Sequence, residues 1–393
     1  MNFSILNTKV QEFISENLNS DITKLILKGS PFKDISTQEL ANQIIAKKKS
    51  KDKLPTWFKK DNIYYPPKIS IEQTSSEITA SYKSDLINGK TIIDITGGFG
   101  VDCYYFSKKV KDVFHIEINE DLSKIVTHNF KELNSKNIKT YNNDGIRFLK
   151  ENNFLFDSIY IDPSRRNDTK GKVFLLKDCL PNVPKNLDFL FTKTTKILIK
   201  NSPILDISSA IKELKFTKEI HVVALNNEVK EVLFLLEKNY NKDIEVKTIN
   251  FLKNSHQKFN FILNDKVTSE YSEPLTYLYE PNVAILKSGA FHQVSKQLKV
   301  FKLEQHSHLY TSKKLVNFPG RSFKVLHTII YDKKKINKLV SNKKANITIR
   351  NFHKSVAQIR KETKLKDGGN TYLFFTTNFK NKKIVIVTEK ITS

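Results

Sequence analysis

Residues 91–102, TIIDITGGFGVD, carry the strongest structural signal in the chain. The first half is an apolar, β-branched run that ends at Asp94, and the second half contains Gly97, Gly98 and Gly100. Glycines allow positive φ and let a ligand approach the backbone, and a helix N-terminus offers unpaired N–H groups. The stretch therefore predicts a strand, a ligand-binding turn and a helix, which is how a Rossmann-like sheet begins.

Two ligand classes are compatible with this turn. A dinucleotide fingerprint needs G-x-G-x-x-G. Gly98 and Gly100 supply its first two glycines, but Cys103 stands at the third position. Read from Asp94 to Gly100, the same residues fit the D/E-x-x-x-G-x-G loop of methyltransferases. The turn alone leaves both alternatives open.

Further strands follow at regular intervals. Apolar runs predict strands at 91–96, 113–118, 138–143, 158–162 and 196–201, with helical patterns between them. This alternation predicts a parallel sheet with helices on both faces. Residues 219–226 and 231–238 predict an antiparallel pair at one edge of that sheet, which completes seven strands.

Polar groups stand where these strands end, at the edge where open α/β sheets bind ligands. Glu117 ends the second strand and is placed to accept ribose hydroxyl groups, of an adenosyl cofactor or of NAD. Asp144, after the third strand, is placed to accept a hydrogen bond from an adenine amino group. The predicted cofactor-binding residues are Asp94, Thr96, Gly97, Gly98, Phe99, Gly100, Asp102, Glu117, Ile118, Asn143, Asp144 and Asp162.

The flanking regions have different patterns. Residues 4–50 space apolar residues at three and four and predict helices, the second capped at Ser36 or Thr37. Residues 69–87 predict one further helix. Residues 283–304 predict a strand followed by a helix, and residues 321–393 predict a small α+β sandwich.

Composition limits the partners. The 393 residues carry 66 Lys+Arg against 41 Asp+Glu, a net charge of +25, and most of the excess lies after residue 240. A basic module beside a balanced core predicts a nucleic acid partner, and the alternative is a lysine-rich solvated surface. Neither a signal peptide nor a membrane span is expected. Two cysteines cannot form a disulfide framework or a four-thiolate zinc site, so we expect a cytoplasmic protein without a metal.

Five segments together resemble a known family. They are LPTW (54–57), EQTSSEITASYK (72–83), DITGGFGVD (94–102), IDPSRR (161–166) and the long C-terminal segment RNFHKSVAQIRKETKLKDGGNTYLFFTT (350–377). The chain resembles the class I S-adenosylmethionine-dependent methyltransferases of bacteria that carry a C-terminal THUMP-like domain.

The resemblance implies a domain order and a cofactor. It implies an α/β fold with a helical N-terminal region (1–88) and a Rossmann-like, seven-stranded methyltransferase core (89–240). Small α+β domains would follow, ferredoxin-like (241–320) and THUMP-like (321–393). The implied cofactor is S-adenosylmethionine and the implied partner is RNA, either tRNA or rRNA.

The Asp-Pro turn after the fourth strand is the predicted catalytic element. Amino methyltransferases use D/N/S-P-P-aromatic there, to accept hydrogen bonds from an exocyclic amine. In this chain Ser164 replaces the second proline and Arg165 replaces the aromatic residue. The predicted catalytic residues are Asp162, Pro163, Ser164 and Arg165, and the predicted RNA contacts are Arg166, Lys343, Lys344, Arg350, Lys354, Arg360 and Lys364.

The departure at the turn keeps three functions open. The first is a methyltransferase that modifies a base of structured RNA. The second is an RNA-binding protein that keeps the cofactor fold with little activity. The third is a methyltransferase that acts on protein or a small molecule.

Overall fold

The structure is a computed structural model that describes residues 1–165 and 175–391. It divides into two units, residues 1–218 with 234–241 and residues 219–233 with 242–393. The helices of the first unit are α1 (Thr8–Glu16), α2 (Ile22–Lys28), α3 (Thr37–Lys53), α4 (Pro55–Lys59), α5 (Lys68–Gln73), α6 (Glu77–Ser84), α7 (Val101–Phe106), α8 (Glu120–Glu132), α9 (Gly145–Glu151), α10 (Val183–Lys193) and α11 (Ile207–Glu213).

The strands of the first unit form a parallel sheet and one short antiparallel pair. They are β1 (Thr91–Asp94), β2 (Asp112–Glu117), β3 (Ile138–Asn142), β4 (Ser158–Ile161), β5 (Ser164–Arg165), β6 (Cys179–Leu180) and β7 (Lys196–Asn201). The sheet order is β3-β2-β1-β4-β7, with each neighbouring pair parallel, and β5 pairs with β6. Isoleucines of β1, β4 and β7 are buried, as expected of a sheet that helices cover on both faces.

Two long strands continue the chain, and each has residues in both units. They are β8 (Thr217–Leu225) and β9 (Glu228–Glu237). With them, all seven strands predicted for the core are present, and the predicted Rossmann-like sheet with its helical N-terminal region and C-terminal α+β parts is confirmed.

The second unit contains the remaining elements. They are β10 (Glu245–Phe251), β11 (His256–Ile262), β12 (Tyr277–Pro281), α12 (Val283–Ser288), α13 (Phe291–Leu298), β13 (Phe301–Lys302), β14 (Tyr310–Ser312), β15 (Gly320–Ile330), α14 (Lys333–Leu339), β16 (Asn346–Arg350), α15 (Val356–Thr363), β17 (Thr371–Thr377) and β18 (Lys383–Lys390). β10 pairs in parallel with β8 and antiparallel with β11. The prediction that the 219–238 hairpin lies at a sheet edge was therefore wrong, because β10 continues the sheet beyond β8.

A seven-stranded sheet of order β13-β14-β12-β15-β18-β17-β16 forms the C-terminal part of this unit. Each of its faces carries a buried apolar cluster. Phe375 packs with Ile336 of α14 and Ile359 of α15, whereas Phe374 packs with Leu278 of β12 in a separate apolar cluster. Adjacent residues of a strand point to opposite faces, so the two phenylalanines are buried in different clusters.

Two helix predictions are corrected. Residues 69–87 form α5 and α6 rather than one helix, because Ser76 caps α6 by accepting a hydrogen bond from the Thr79 N–H. Residues 283–288 are helical rather than extended. Asn282 caps that helix, and Gly289, at φ +76°, ends it. The predicted cap of α3 at Ser36 is confirmed, with a capping box to Glu39.

Among the residues that the structure describes, no helix combines the length and the apolar character needed to cross a lipid bilayer.

Candidate active site

The turns after β1 and β4 are joined by a chain of hydrogen bonds. Thr96 donates to Asp94 Oδ1 through its N–H (2.9 Å) and through its hydroxyl (3.0 Å). The same hydroxyl oxygen accepts a 2.7 Å hydrogen bond from the N–H of Asp162. Three predicted site residues are thereby brought together at the carboxyl edge of the sheet.

Asp94 is buried at the base of this chain. Its second oxygen, Oδ2, accepts a 3.4 Å hydrogen bond from the Cys103 thiol. Burial raises the pKa of Asp94 to about 7, against the opposing effect of the Thr96 N–H. Burial also raises the pKa of Cys103, so this thiol is not activated as a nucleophile.

The three glycines of the first turn have different surroundings. A Cβ on Gly97 would lie 2.4 Å from His115 Nε2, and one on Gly100 would lie 2.5 Å from Phe130 Cζ. At Gly98 the nearest atom would be the Thr96 carbonyl oxygen at 3.7 Å. Gly97 and Gly100 are therefore required by packing, whereas a Cβ on Gly98 would make only this ordinary van der Waals contact.

Glu117 holds this turn from the end of β2. Its Oε2 accepts a 2.8 Å hydrogen bond from the Gly98 N–H, and its Oε1 accepts one of 2.7 Å from the Asn119 N–H. A carboxylate oxygen can accept two hydrogen bonds and each of these accepts one, so both keep acceptor capacity for another donor. Ile118 lies beside it and is 71% exposed, an apolar surface next to a hydrogen-bonding carboxylate.

The turn after β3 has a structural role of its own. Asp144 Oδ1 accepts a 2.8 Å hydrogen bond from the Arg147 N–H and caps α9, and the Asn143 side chain donates to Glu151 at 3.3 Å. Gly145 was missed by sequence reasoning. A Cβ there would lie 2.2 Å from the Ile95 carbonyl oxygen, so only glycine permits this approach. The Asp-Gly pair before a helical pattern was its signal.

Asp102 faces a buried polar cluster. Its Oδ2 accepts hydrogen bonds from the hydroxyls of Ser75 (2.8 Å) and Tyr160 (2.9 Å), and Lys83 Nζ lies 3.2 Å from Oδ1. Burial raises the pKa of Asp102, but the charges of Lys83 and Lys200 and the two hydroxyls outweigh it, so the net pKa is lowered. Ser75 and Lys83 lie in the EQTSSEITASYK segment.

The LPTW segment joins the same region. Glu77 accepts hydrogen bonds from the Thr56 N–H (2.6 Å) and the Tyr105 hydroxyl (2.7 Å). Trp57 is fully buried, and its ring lies 6.2 Å from that of Phe99. These contacts and the burial of Lys83 show that α6 packs against α7 and covers it.

A residue that was not predicted, Lys200 of β7, contacts the predicted catalytic turn. Lys200 Nζ lies 2.5 Å from Asp162 Oδ2. Pro163 is half-buried, and the exposed Ser164 donates a 3.4 Å hydrogen bond to the Leu180 carbonyl oxygen. Arg165 belongs to β5. Arg166, a predicted RNA contact, lies outside the described residues.

The predicted RNA contacts of the second unit fall into two groups. Arg350 donates a 2.8 Å hydrogen bond to the buried Glu280, which Arg321 also contacts. Lys354 pairs with Glu362 and Arg360 with Asp367. Lys343, Lys344 and Lys364 are exposed, and none of them has an acidic partner within the described ranges.

No group of three or more potential metal-ligating side chains occurs in the described part of the chain.

Two domain families and a solved structure are similar to this chain. Residues 277–319 match the ferredoxin-like domain family, and residues 320–390 match the THUMP domain-like family. The crystal structure of a putative methyltransferase from Porphyromonas gingivalis W83 has 30% sequence identity and a TM-score of 0.89. That match covers 99% of this chain and 98% of the other.

A second relative matches a short stretch. An uncharacterized RNA methyltransferase of Mycoplasma mobile is 34% identical over 85 residues. The match spans 21% of this chain and 23% of that curated relative, less than a quarter of its length.

Proposed function

This chain belongs to the class I S-adenosylmethionine-dependent methyltransferases with a C-terminal THUMP-like domain, and from that premise we propose that it methylates a base of structured RNA, tRNA or rRNA. The observation that carries the proposal is the glycine turn after β1. A Cβ at Gly98 would meet only one atom, at ordinary van der Waals distance, and the adjoining Glu117 carboxylate keeps acceptor capacity. A small ligand that carries hydroxyl groups fits this arrangement.

The residues of this edge match the parts of the proposed cofactor. Glu117 would accept hydrogen bonds from the ribose hydroxyls, and the exposed Ile118 would contact the adenine ring. Asn143 and Asp144 follow the next strand, where we propose that they would face the adenine. When bound, the cofactor supplies a methyl group on a sulfonium sulfur, which keeps the C–S bonding electrons as the acceptor's lone pair forms the new bond to carbon.

Asp162 is the residue proposed to orient the acceptor. Its N–H is fixed by Thr96, which ties the Asp-Pro turn to the glycine turn. The side chain is 37% exposed, so an incoming base has access to it. We assign its carboxylate and the Pro163 carbonyl as acceptors for the N–H groups of an exocyclic amine. Holding the amine in a reactive geometry is the main contribution of the protein, and the proton that the product loses passes to solvent.

The exposed lysines of the second unit support RNA as the substrate. Lys343, Lys344 and Lys364 are available for phosphates, whereas acidic side chains already engage Arg350, Lys354 and Arg360. Phosphate contacts of this kind supply affinity without reading sequence.

A labelling experiment tests this function against its alternatives. The purified protein is incubated with S-adenosyl[methyl-³H]methionine and either total RNA or total protein from a strain that lacks the enzyme. We expect label in RNA, located in a base after nuclease digestion. Label in protein and not in RNA would overturn the proposal. Cofactor binding without transfer to either would favour an RNA-binding protein that keeps the cofactor fold with little activity.

A further inference from the structure

Asp162 and Lys200 are neighbours because of strand register. β4 and β7 are parallel, and Ile161 pairs with Ile199. Lys200 is the next residue of β7 and Asp162 directly follows the end of β4, so their side chains leave the sheet on the same side. The resulting ion pair has an Nζ–Oδ2 distance of 2.5 Å.

The environment screens this pair less than it would a fully exposed surface ion pair. The Lys200 side chain is only 12% exposed, and its charge also lowers the pKa of Asp102. Charges therefore alternate from Lys83 through Asp102 and Lys200 to Asp162. Such partly buried charges are screened much less than exposed ones and hold each other in place.

The two oxygens of Asp162 differ as a result. Oδ2 is held by the ammonium group, whereas Oδ1 has no hydrogen bond within residues 1–165 and 175–391. We propose that Lys200 is a positioning residue that fixes the Asp162 carboxylate, so that Oδ1 is the acceptor presented to the amine of the base. This inference rests on the proposed function and adds a residue to it.

Lys200 acts through orientation and not through the cofactor. A carboxylate without the ammonium group rotates about its terminal bond and exchanges its two oxygens. The amine would then meet an acceptor oxygen that is less well ordered. This lowers the rate of methyl transfer in the bound complex, and the affinity for the cofactor stays unchanged.

The test compares three substitutions of lysine. Lys200→Met removes the charge, Lys200→Arg keeps it, and Lys218→Met is the matched control. Lys218 forms a 2.7 Å ion pair with Glu237 on other strands of the same unit. Transfer of labelled methyl to total RNA gives kcat, and calorimetric titration with S-adenosylmethionine gives Kd.

We expect Lys200→Met to lower kcat about 100-fold while Kd for S-adenosylmethionine changes by less than about threefold. Lys200→Arg should recover most of the rate, and Lys218→Met should match the wild type. In an Asp162→Asn background, Lys200→Met should cost far less, because residues that act as one unit are not additive.

Three results would overturn the inference. They are a Lys200→Met rate within about twofold of the wild type, an equal loss of rate and cofactor affinity, or full additivity with Asp162→Asn. Failure of the proposed function has a different signature, because the wild type itself would then transfer no label to RNA, and the positioning role would fall with it.

Discussion

The backbone N–H of Gly98 donates a 2.8 Å hydrogen bond to the Glu117 carboxylate, so the turn after β1 and the end of β2 are joined at one corner. The Cβ position of Gly98 is uncrowded at this corner, which we take as the open side for a ligand, and Glu117 carries the remaining acceptor capacity. Loss of the carboxylate therefore affects the shape of the turn as well as the hydroxyl groups of a ligand.

Glu117→Ala should weaken binding of S-adenosylmethionine by about 1–3 kcal/mol, because the ribose hydroxyls and the Gly98 N–H lose their acceptor. Glu117→Gln keeps one acceptor oxygen and should lose less. Calorimetric titration measures both, with Glu120→Ala, an exposed position on α8, as the control. Wild-type affinity in Glu117→Ala would remove the ribose assignment.

Alanine at two glycines should separate folding from binding. Gly100 has φ +77°, and its Cβ would meet Phe130, so Gly100→Ala should lower the free energy of unfolding by about 2–4 kcal/mol. Gly98 has φ +56°, but its Cβ would make only an ordinary van der Waals contact, so Gly98→Ala should cost about 1–2 kcal/mol in stability and should mainly reduce cofactor affinity.

Urea unfolding and calorimetry of the two variants provide the check. The assignment of the open side to the ligand fails if Gly98→Ala binds S-adenosylmethionine as tightly as the wild type. It fails equally if Gly100→Ala unfolds like the wild type, because the packing argument would then be wrong.

The sequence predicted local features well and distant pairings poorly. The strand and turn at 91–102 could be predicted because their pattern is continuous in the chain. The partnership of Asp162 with Lys200 spans 38 residues and depends on the register of β4 and β7, which no local pattern contains.

The same limit applies to the prediction of which basic residues contact RNA. A count of charges predicts a basic surface but cannot tell which side chains pair within the chain. Arg350 was predicted from the sequence to contact RNA. In the structure, Arg350 and Arg321 both pair with the buried Glu280, because β12, β15 and β16 belong to one sheet.

Removal of one buried charge should destabilise the first unit. Lys83→Met leaves the Asp102 carboxylate without its nearest cation and should lower the free energy of unfolding by about 3–5 kcal/mol. The double variant Lys83→Met/Asp102→Asn removes both charges and should recover much of this loss.

The control is Lys109→Met, which breaks an exposed pair with Asp85 and should change stability by less than about 1 kcal/mol. Urea unfolding measures all of these variants. If Lys83→Met and Lys109→Met cost the same, the Lys83–Asp102 pair has no special role in stability.

Asp94 should make stability depend on pH in a defined direction. Its folded-state pKa of about 7 lies above the ordinary value of 3.8 because burial disfavours the charge. Between these values the folded chain keeps a proton that the unfolded chain releases. The stability that the folded chain gains from this retained proton is thus fully present below pH 3.8 and is lost as pH rises through about 7.

Comparison with Asp94→Asn isolates this effect. The stability of the wild type relative to the variant should fall as pH rises from 5 to 7, by at most about 1.4 kcal/mol per pH unit. The comparison is needed because His115, whose pKa burial lowers to about 4, titrates in the opposite sense. A difference independent of pH would mean that Asp94 is ionised throughout.

The last prediction separates RNA contacts from internal ion pairs in the second unit. The triple variant Lys343→Gln/Lys344→Gln/Lys364→Gln removes exposed charges that have no acidic partner in the described ranges. If each lysine contacts one phosphate of single-stranded RNA, the slope of log affinity against log salt should fall by about 2. Arg350→Met should instead lower the free energy of unfolding by about 1–3 kcal/mol, because Glu280 loses one of its two guanidinium partners.

Filter binding of total RNA at several salt concentrations, together with urea unfolding, measures both effects. The control variant Lys253→Gln/Lys258→Gln/Lys266→Gln removes the same charge from exposed positions of the same unit. An equal change of slope in both triple variants would show that net charge alone binds the RNA. A steeper loss at Lys343, Lys344 and Lys364 would identify these three lysines as the phosphate contacts, because only their location distinguishes the two sets.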